Sequence, residues 1–179
     1  MNGSLDYNYI EDIYTKYSHY NQIKNFIETG TFNGYTCKNL SSKFQHLFTV
    51  DNVQEKYINS KNDNINLNNI EFYFEDSTTF LNNVLQYKRE DNNCFFLDAH
   101  GNGGVHTPLL DELEIITNNI DKAESYPLNI FILNDFRLWN KFNDWSGITI
   151  ENINNIFIKY NIDILVQYEK NDKYVILTY

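Results

Sequence analysis

Short apolar runs alternate with stretches of helical periodicity along the whole chain. The runs Asn25–Glu28, His46–Asp51, Ile70–Phe74, Cys94–Asp98 and Asn129–Leu133 are too short for buried helices and read as strands. Between them the pattern predicts helices over about 35–44, 53–60 and 77–87. Another is predicted from a Thr107 N-cap and Pro108 through Leu109, Leu113, Ile116 and Ile120. Pro127 is read as the residue that stops this helix before the fifth strand. A further helix is predicted near 149–160, and then a hairpin with strands at 162–168 and 174–179 around the polar turn Glu169–Asp172. The segment 1–24 is expected as a short N-terminal helical extension packed on the sheet edge. Repeated strand–helix alternation implies right-handed crossovers, hence an α/β fold with a seven-stranded, mostly parallel sheet and helices on both faces. With no repeat or linker, residues 1–179 are expected as a single domain.

Composition changes this picture mainly by exclusion. A hydrophobic fraction of 42% over 179 residues is enough for one packed core. The formal charge of −10 repels phosphate backbones, so nucleic acid is not expected as a partner. No apolar run reaches the length of a membrane span, and the first residues lack the basic and apolar regions of a signal peptide. Cys37 and Cys94 lie far apart and are expected as reduced thiols, consistent with a cytoplasmic protein.

In an open α/β sheet, ligands bind beyond the carboxyl ends of the strands, so the residues there are the candidates for chemistry. The first strand is followed by Glu28-Thr29-Gly30-Thr31-Phe32-Asn33-Gly34-Tyr35-Thr36. Its two glycines would let backbone N–H groups approach an anionic ligand, or serve a tight turn only. The spacing is G-x-x-x-G, without the dinucleotide G-x-G-x-x-G. Asp51 follows the second strand, 51 − 30 = 21 residues past Gly30, close to the offset of a ribose-binding acid. Glu75-Asp76-Ser77 follows the third strand and reads as an adenine contact, a helix cap, or both. Asp98 and His100 follow the fourth strand, and Asn134-Asp135 the fifth. Carboxylate and amide oxygens at adjacent strand tips suit Mg²⁺, while Asp98 and Asp135 equally read as caps. A zinc set of Asp98, His100 and His106 matches no standard spacing.

The ordered set E-T-G-T-F-N-G-Y-T, V-D, E-D-S, L-D-A-H and N-D, with a terminal hairpin, resembles the class I S-adenosylmethionine-dependent methyltransferases. The likeness covers about residues 24–179 and falls in the small-molecule and sugar O-methyltransferase branch, metal-dependent and similar to macrocin and catechol O-methyltransferases. It implies a Rossmann-like methyltransferase fold whose last strand is antiparallel. It also implies S-adenosyl-L-methionine as cofactor, with its methionine part at Glu28, Gly30, Phe32, Gly34 and Thr36, its ribose at Asp51, and its adenine near Asp76 and Ser77. Asp98 would border the cofactor and, with Asn134 and Asp135, hold Mg²⁺ or Mn²⁺. The Asn-Asp order departs from the family's usual pair, and the lysine base of catechol-type members is absent. His100, beside Gly101, Gly103 and Gly104, stands in its place as the proton acceptor, with Asp98 as its catalytic partner.

The acceptor is expected to be a small molecule or a sugar hydroxyl, on a nucleotide sugar or a glycan. The segment 136–145 carries both tryptophans, Trp139 and Trp145, whose faces would pack on a sugar ring or else cover the sheet. Arg137 or Lys141 would meet a diphosphate. A homodimer stays open. Competing readings are a non-catalytic cofactor or nucleotide binder, a catechol-type methyltransferase, and a nicotinamide dehydrogenase, the last disfavoured by the missing glycine fingerprint.

Overall fold

The computed structural model describes residues 3–100 and 106–179. Seven strands form one sheet: β1 (Asn25–Thr29), β2 (His46–Val50), β3 (Ile70–Tyr73), β4 (Asn93–Leu97), β5 (Asn129–Leu133), β6 (Ile164–Lys170) and β7 (Lys173–Thr178). Their order is β3-β2-β1-β4-β5-β7-β6. The first five are mutually parallel, while β7 runs antiparallel to both β5 and β6. The helices are α1 (Tyr7–Lys16), α2 (Tyr35–Leu40), α3 (Gln54–Asp63), α4 (Ser77–Lys88), α5 (Leu109–Ile120) and α6 (Ile150–Lys159). This is the Rossmann-like α/β architecture with a reversed last strand that the sequence predicts.

Every residue of β1, β4 and β5 is buried, as expected of parallel strands covered on both faces. Alternate side chains feed two cores. Phe48, Phe95 and Phe131 pack with Leu81, Leu113 and Phe157 of α4, α5 and α6. Phe26, Phe96 and Ile132 pack with Ile10 and Ile13 of α1 and with Cys37 and Leu40 of α2. The N-terminal extension therefore covers a face of the sheet and does not sit on its edge. Burying Ile10, Ile13 and Tyr14 requires an apolar face, and the Tyr20 hydroxyl locks the segment down by donating to the Thr178 carbonyl at 3.1 Å.

Several boundaries differ from the pattern for local reasons. Asp6, Asp76 and Thr149 cap α1, α4 and α6 by accepting backbone N–H groups. Thr107 does not cap α5: its hydroxyl is buried without a partner, and Pro108 occupies the cap position. Pro127 does not stop α5, which ends at Ile120, seven residues earlier. Helix α2 stops at Leu40, short of the predicted residue 44. Among the described residues no helix is long and apolar enough to cross a membrane. Both cysteines are buried free thiols.

Candidate functional site

The sheet order reverses between β1 and β4, and a crevice of about 620 Å³ opens there beyond the carboxyl ends of the parallel strands. Of the predicted residues, Gly30, Phe32, Thr36, Asp51, Asp98, His100, Asn134 and Asp135 line it. Glu28, Gly34, Asp76 and Ser77 do not line it, and each has other work.

The turn after β1 is built by tight packing. Gly30 has φ +84°, and a Cβ there would stand 2.5 Å from the Asp98 carbonyl oxygen, so only glycine lets the tips of β1 and β4 meet. Gly34 (φ +69°) packs against Ser60 of α3 and Asn64 at that helix's C-terminal cap. Four of the turn's amides are engaged within the protein. Those of Gly30 and Thr31 donate to the Val50 carbonyl, that of Phe32 to Asp51 Oδ2 and that of Gly34 to the Thr31 carbonyl. Asp51 also accepts from the Val53 N–H at 2.9 Å, which fixes its carboxylate at the crevice wall. The Phe32 ring projects into solvent at the mouth, 58% exposed, with the Lys56 ammonium 3.9 Å from its centroid.

Glu28 is sealed beneath the turn, accepting from Thr49 Oγ1 at 2.7 Å and Cys37 Sγ at 3.2 Å. Burial pushes its carboxyl up to about 7. A second buried acid, Glu112 of α5, was not singled out by the sequence and lies on the other side of β1. It accepts from Thr29 Oγ1 at 3.3 Å, bonds Ser77, and burial raises it likewise to about 7. Ser77 thus serves Glu112, and Asp76 is the α4 cap. Thr79 N–H, Thr79 Oγ1 and Thr78 Oγ1 donate to Asp76, and these bonds hold its carboxyl down at about 2.

At the other end of the crevice, His100 Nε2 lies 3.2 Å from Asp98 Oδ1 and 3.1 Å from Asp135 Oδ2. Hydrogen bonds to Asp135 and then Asp98 push the imidazole up to about 10 when no cation lies between the carboxylates. Burial raises the Asp98 carboxyl. Burial acts the same way on Asp135, but His100 and Arg137 outweigh it and hold that group below the usual range. Asp135 adopts φ +53°, a left-handed conformation costly for a residue with a Cβ, which turns its carboxylate toward this cluster.

One donor atom each from Asp98, His100 and Asp135 lie within 4.8 Å of one another, a set that fits a divalent cation accepting mixed oxygen and nitrogen ligands, such as Mn²⁺. Asn134 presents Nδ2, not Oδ1, to Asp98, while its Oδ1 is buried without a partner. Turning this amide would aim Oδ1 at the Asp98 carboxylate, an arrangement that a cation between them makes favourable.

Two pairings were not legible in the sequence. Arg137 bridges Asp135, at 2.7 Å, and Asp172 of the β6–β7 turn. Residues Gly3 and Ser4 close one side of the crevice. Trp139 and Trp145 are 6% and 5% exposed, so neither offers a face to a sugar. Trp139 packs in the core and donates to the Asn134 carbonyl at 3.2 Å, and Trp145 buttresses His100 with centroids 5.5 Å apart. Phe142, in contrast, is exposed. Gly101, Gly103 and Gly104 lie outside the described residues.

No family model matches the chain, and no curated protein sequence matches it. Solved structures do. A S-adenosylmethionine-dependent methyltransferase from Clostridium acetobutylicum superposes with a TM-score of 0.64 at 14% identity, over 97% of this chain and 92% of that one. The N-methyltransferase NodS from Bradyrhizobium japonicum gives 0.52 at 14% identity, over 97% and 96%. Fibrillarin from Aeropyrum pernix, solved with natively bound S-adenosyl-L-methionine, gives 0.58 at 11% identity, over 87% and 66%. The chain thus has the Rossmann-like methyltransferase fold.

Proposed function

We propose that this chain is a S-adenosylmethionine-dependent O-methyltransferase, assisted by a divalent cation and acting on a sugar hydroxyl. The observation that supports it best is the crevice at the switch point. There Gly30, Thr36 and Asp51 stand at one end and the Asp98–His100–Asp135 cluster at the other. Its volume of about 620 Å³ suits one cofactor-sized ligand.

The cofactor would supply an electrophilic methyl group, and the cation would lower the acceptor hydroxyl's pKa. The chain's own residues do the rest. Asp51, pinned by two N–H donors, keeps a lone pair on each oxygen for a ribose diol. Thr36 lines the wall where the methionine part would lie. Asp98 and Asp135, with Asn134 once its amide turns, would hold the cation and orient the acceptor, and alignment supplies much of the rate. The acceptor's hydroxyl proton would pass to His100 Nε2 as its oxygen takes the methyl group, with Asp98 beside that nitrogen at 3.2 Å. A cation held by both carboxylates would remove the hydrogen bonds that keep His100 protonated.

A non-catalytic binder is favoured by one feature alone: His100 already bridges both carboxylates without a metal. Calorimetry with S-adenosylmethionine and its demethylated product decides the cofactor. Binding is expected, and Asp51→Ala should weaken it by about one to two orders of magnitude. No heat at millimolar cofactor overturns the family of reactions. Binding with no transfer to any acceptor selects the binder.

A further inference from the structure

A second cavity, of about 770 Å³, lies between α1 and the β6–β7 turn. It adjoins the crevice, since Ser4 and Arg137 line both. We propose that this groove seats the acceptor, and that the acceptor is an uncharged, polyhydroxylated ring, a glycoside or glycan terminus, and not a sugar carrying a diphosphate. The inference rests on the methyltransferase reading and adds where the acceptor binds and what charge it carries.

The charges in the wall balance. Asp6, Asp12 and Asp172 face Arg137, Lys170 and Lys173. The cations that reach the surface are already engaged by carboxylates. Lys170 Nζ lies 2.6 Å from Asp12, and Arg137 is held by Asp135 and Asp172 together. Lys173 is enclosed, at 3% exposure. A diphosphate would have to take Arg137 from two carboxylates in a protein of net charge −10, whereas a neutral hydroxylated ring disturbs none of these pairs.

The wall is also unsuited to a flat aromatic acceptor. Tyr9 is the one aromatic ring among its described residues, and it is buried. Its hydroxyl donates to the Lys170 carbonyl at 3.2 Å and the Lys170 ammonium lies 4.7 Å from its centroid. What the groove offers outward is short polar side chains: Ser4, Asn8 and Asn171 beside the acids. These donate and accept hydrogen bonds in alternation, the demand made by a ring of hydroxyls. Arg137 then has a positional role. It fixes Asp135 on the crevice side and Asp172 on the groove side, so a hydroxyl at the junction meets the cluster.

The test uses the full chain with Mn²⁺, labelled S-adenosylmethionine, and a panel of uncharged glycosides and oligosaccharides, nucleotide-diphosphate sugars and catechols. Turnover is expected with members of the first group. Asn8→Trp, which fills the groove from an exposed helix position, should raise their KM at least tenfold. Asn8→Ala should raise it severalfold, and both variants should leave cofactor affinity and the melting temperature near the parent's. Preference for nucleotide sugars or catechols overturns the acceptor class, as does failure of every uncharged glycan to bind or react. Unchanged KM in both Asn8 variants overturns the groove while the methyltransferase reading stands. Absence of cofactor binding by the parent overturns both, and is seen before any acceptor is added.

Discussion

Gly30 and Gly147 form a matched pair for measuring what holds the crevice together. Both have nearly the same positive φ, +84° and +81°. Alanine at either position carries the left-handed penalty of roughly 1–2 kcal/mol. Around Gly147 nothing lies within 4 Å of an added Cβ, so that penalty is the whole expected cost. At Gly30 the same methyl meets the Asp98 carbonyl oxygen at 2.5 Å, its carbon at 2.8 Å and the Ala99 nitrogen at 3.1 Å. These are backbone atoms at the tip of β4, and they move only if the paired strands part. Overpacking of this kind adds about 1–3 kcal/mol. With a urea m-value of about 2 kcal/mol per molar, Gly30→Ala should lower the unfolding midpoint by roughly 0.5–1.5 M more than Gly147→Ala does. Asp98 would be displaced as well, so cofactor affinity should fall in Gly30→Ala and hold in Gly147→Ala. Equal midpoints for the two variants would refute the close approach of β1 and β4 as the reason for glycine at 30.

Stability should depend on pH through the two sealed carboxyls. Glu28 and Glu112 rise on folding from 4.5 to about 7, so between those values the folded state binds more protons than the unfolded one. Their contribution is full below pH 4.5 and is lost as pH rises through 7, up to about 3 kcal/mol each. Urea midpoints at pH 5 and pH 8 measure this, and the double change Glu28→Gln, Glu112→Gln should flatten the difference; an unaltered slope would exclude these two groups as its source. Asp76→Ala should cost about 1–2 kcal/mol as a lost helix cap while leaving S-adenosylmethionine affinity within about twofold. A tenfold loss of affinity would instead mark Asp76 as a cofactor contact. Methyl transfer should stop in EDTA and return with Mn²⁺ or Mg²⁺, and full activity in the chelator would leave Asp98 and Asp135 as hydrogen-bonding groups only.

What the chain determines by itself is its architecture. Strands such as Cys94–Leu97 and Asn129–Leu133 declare themselves because a strand covered on both faces must be apolar at consecutive positions, a local property. Alternation with helices then limits the topology, and placing candidates at strand tips locates Asp51, Asp98, His100, Asn134 and Asp135 beside one crevice. What those side chains do was decided by the tertiary structure, since a polar group's behaviour depends on partners the chain order does not reveal. Glu28 and Asp51 both end strands, yet one is sealed under Thr49 and Cys37 and the other faces the crevice. Three amides of the glycine turn, those of Gly30, Thr31 and Phe32, find acceptors in Val50 and Asp51 at the end of β2, which the chain order does not reveal. The pairing of His100 with two carboxylates arises because the loops after β4 and β5 deliver one each to the same nitrogen. Asp172, 35 residues from Arg137, reaches it only because the terminal hairpin folds back beside β5. Hydrophobic pattern is written residue by residue, whereas burial, pairing and charge state arise only once distant segments exclude water from the same place.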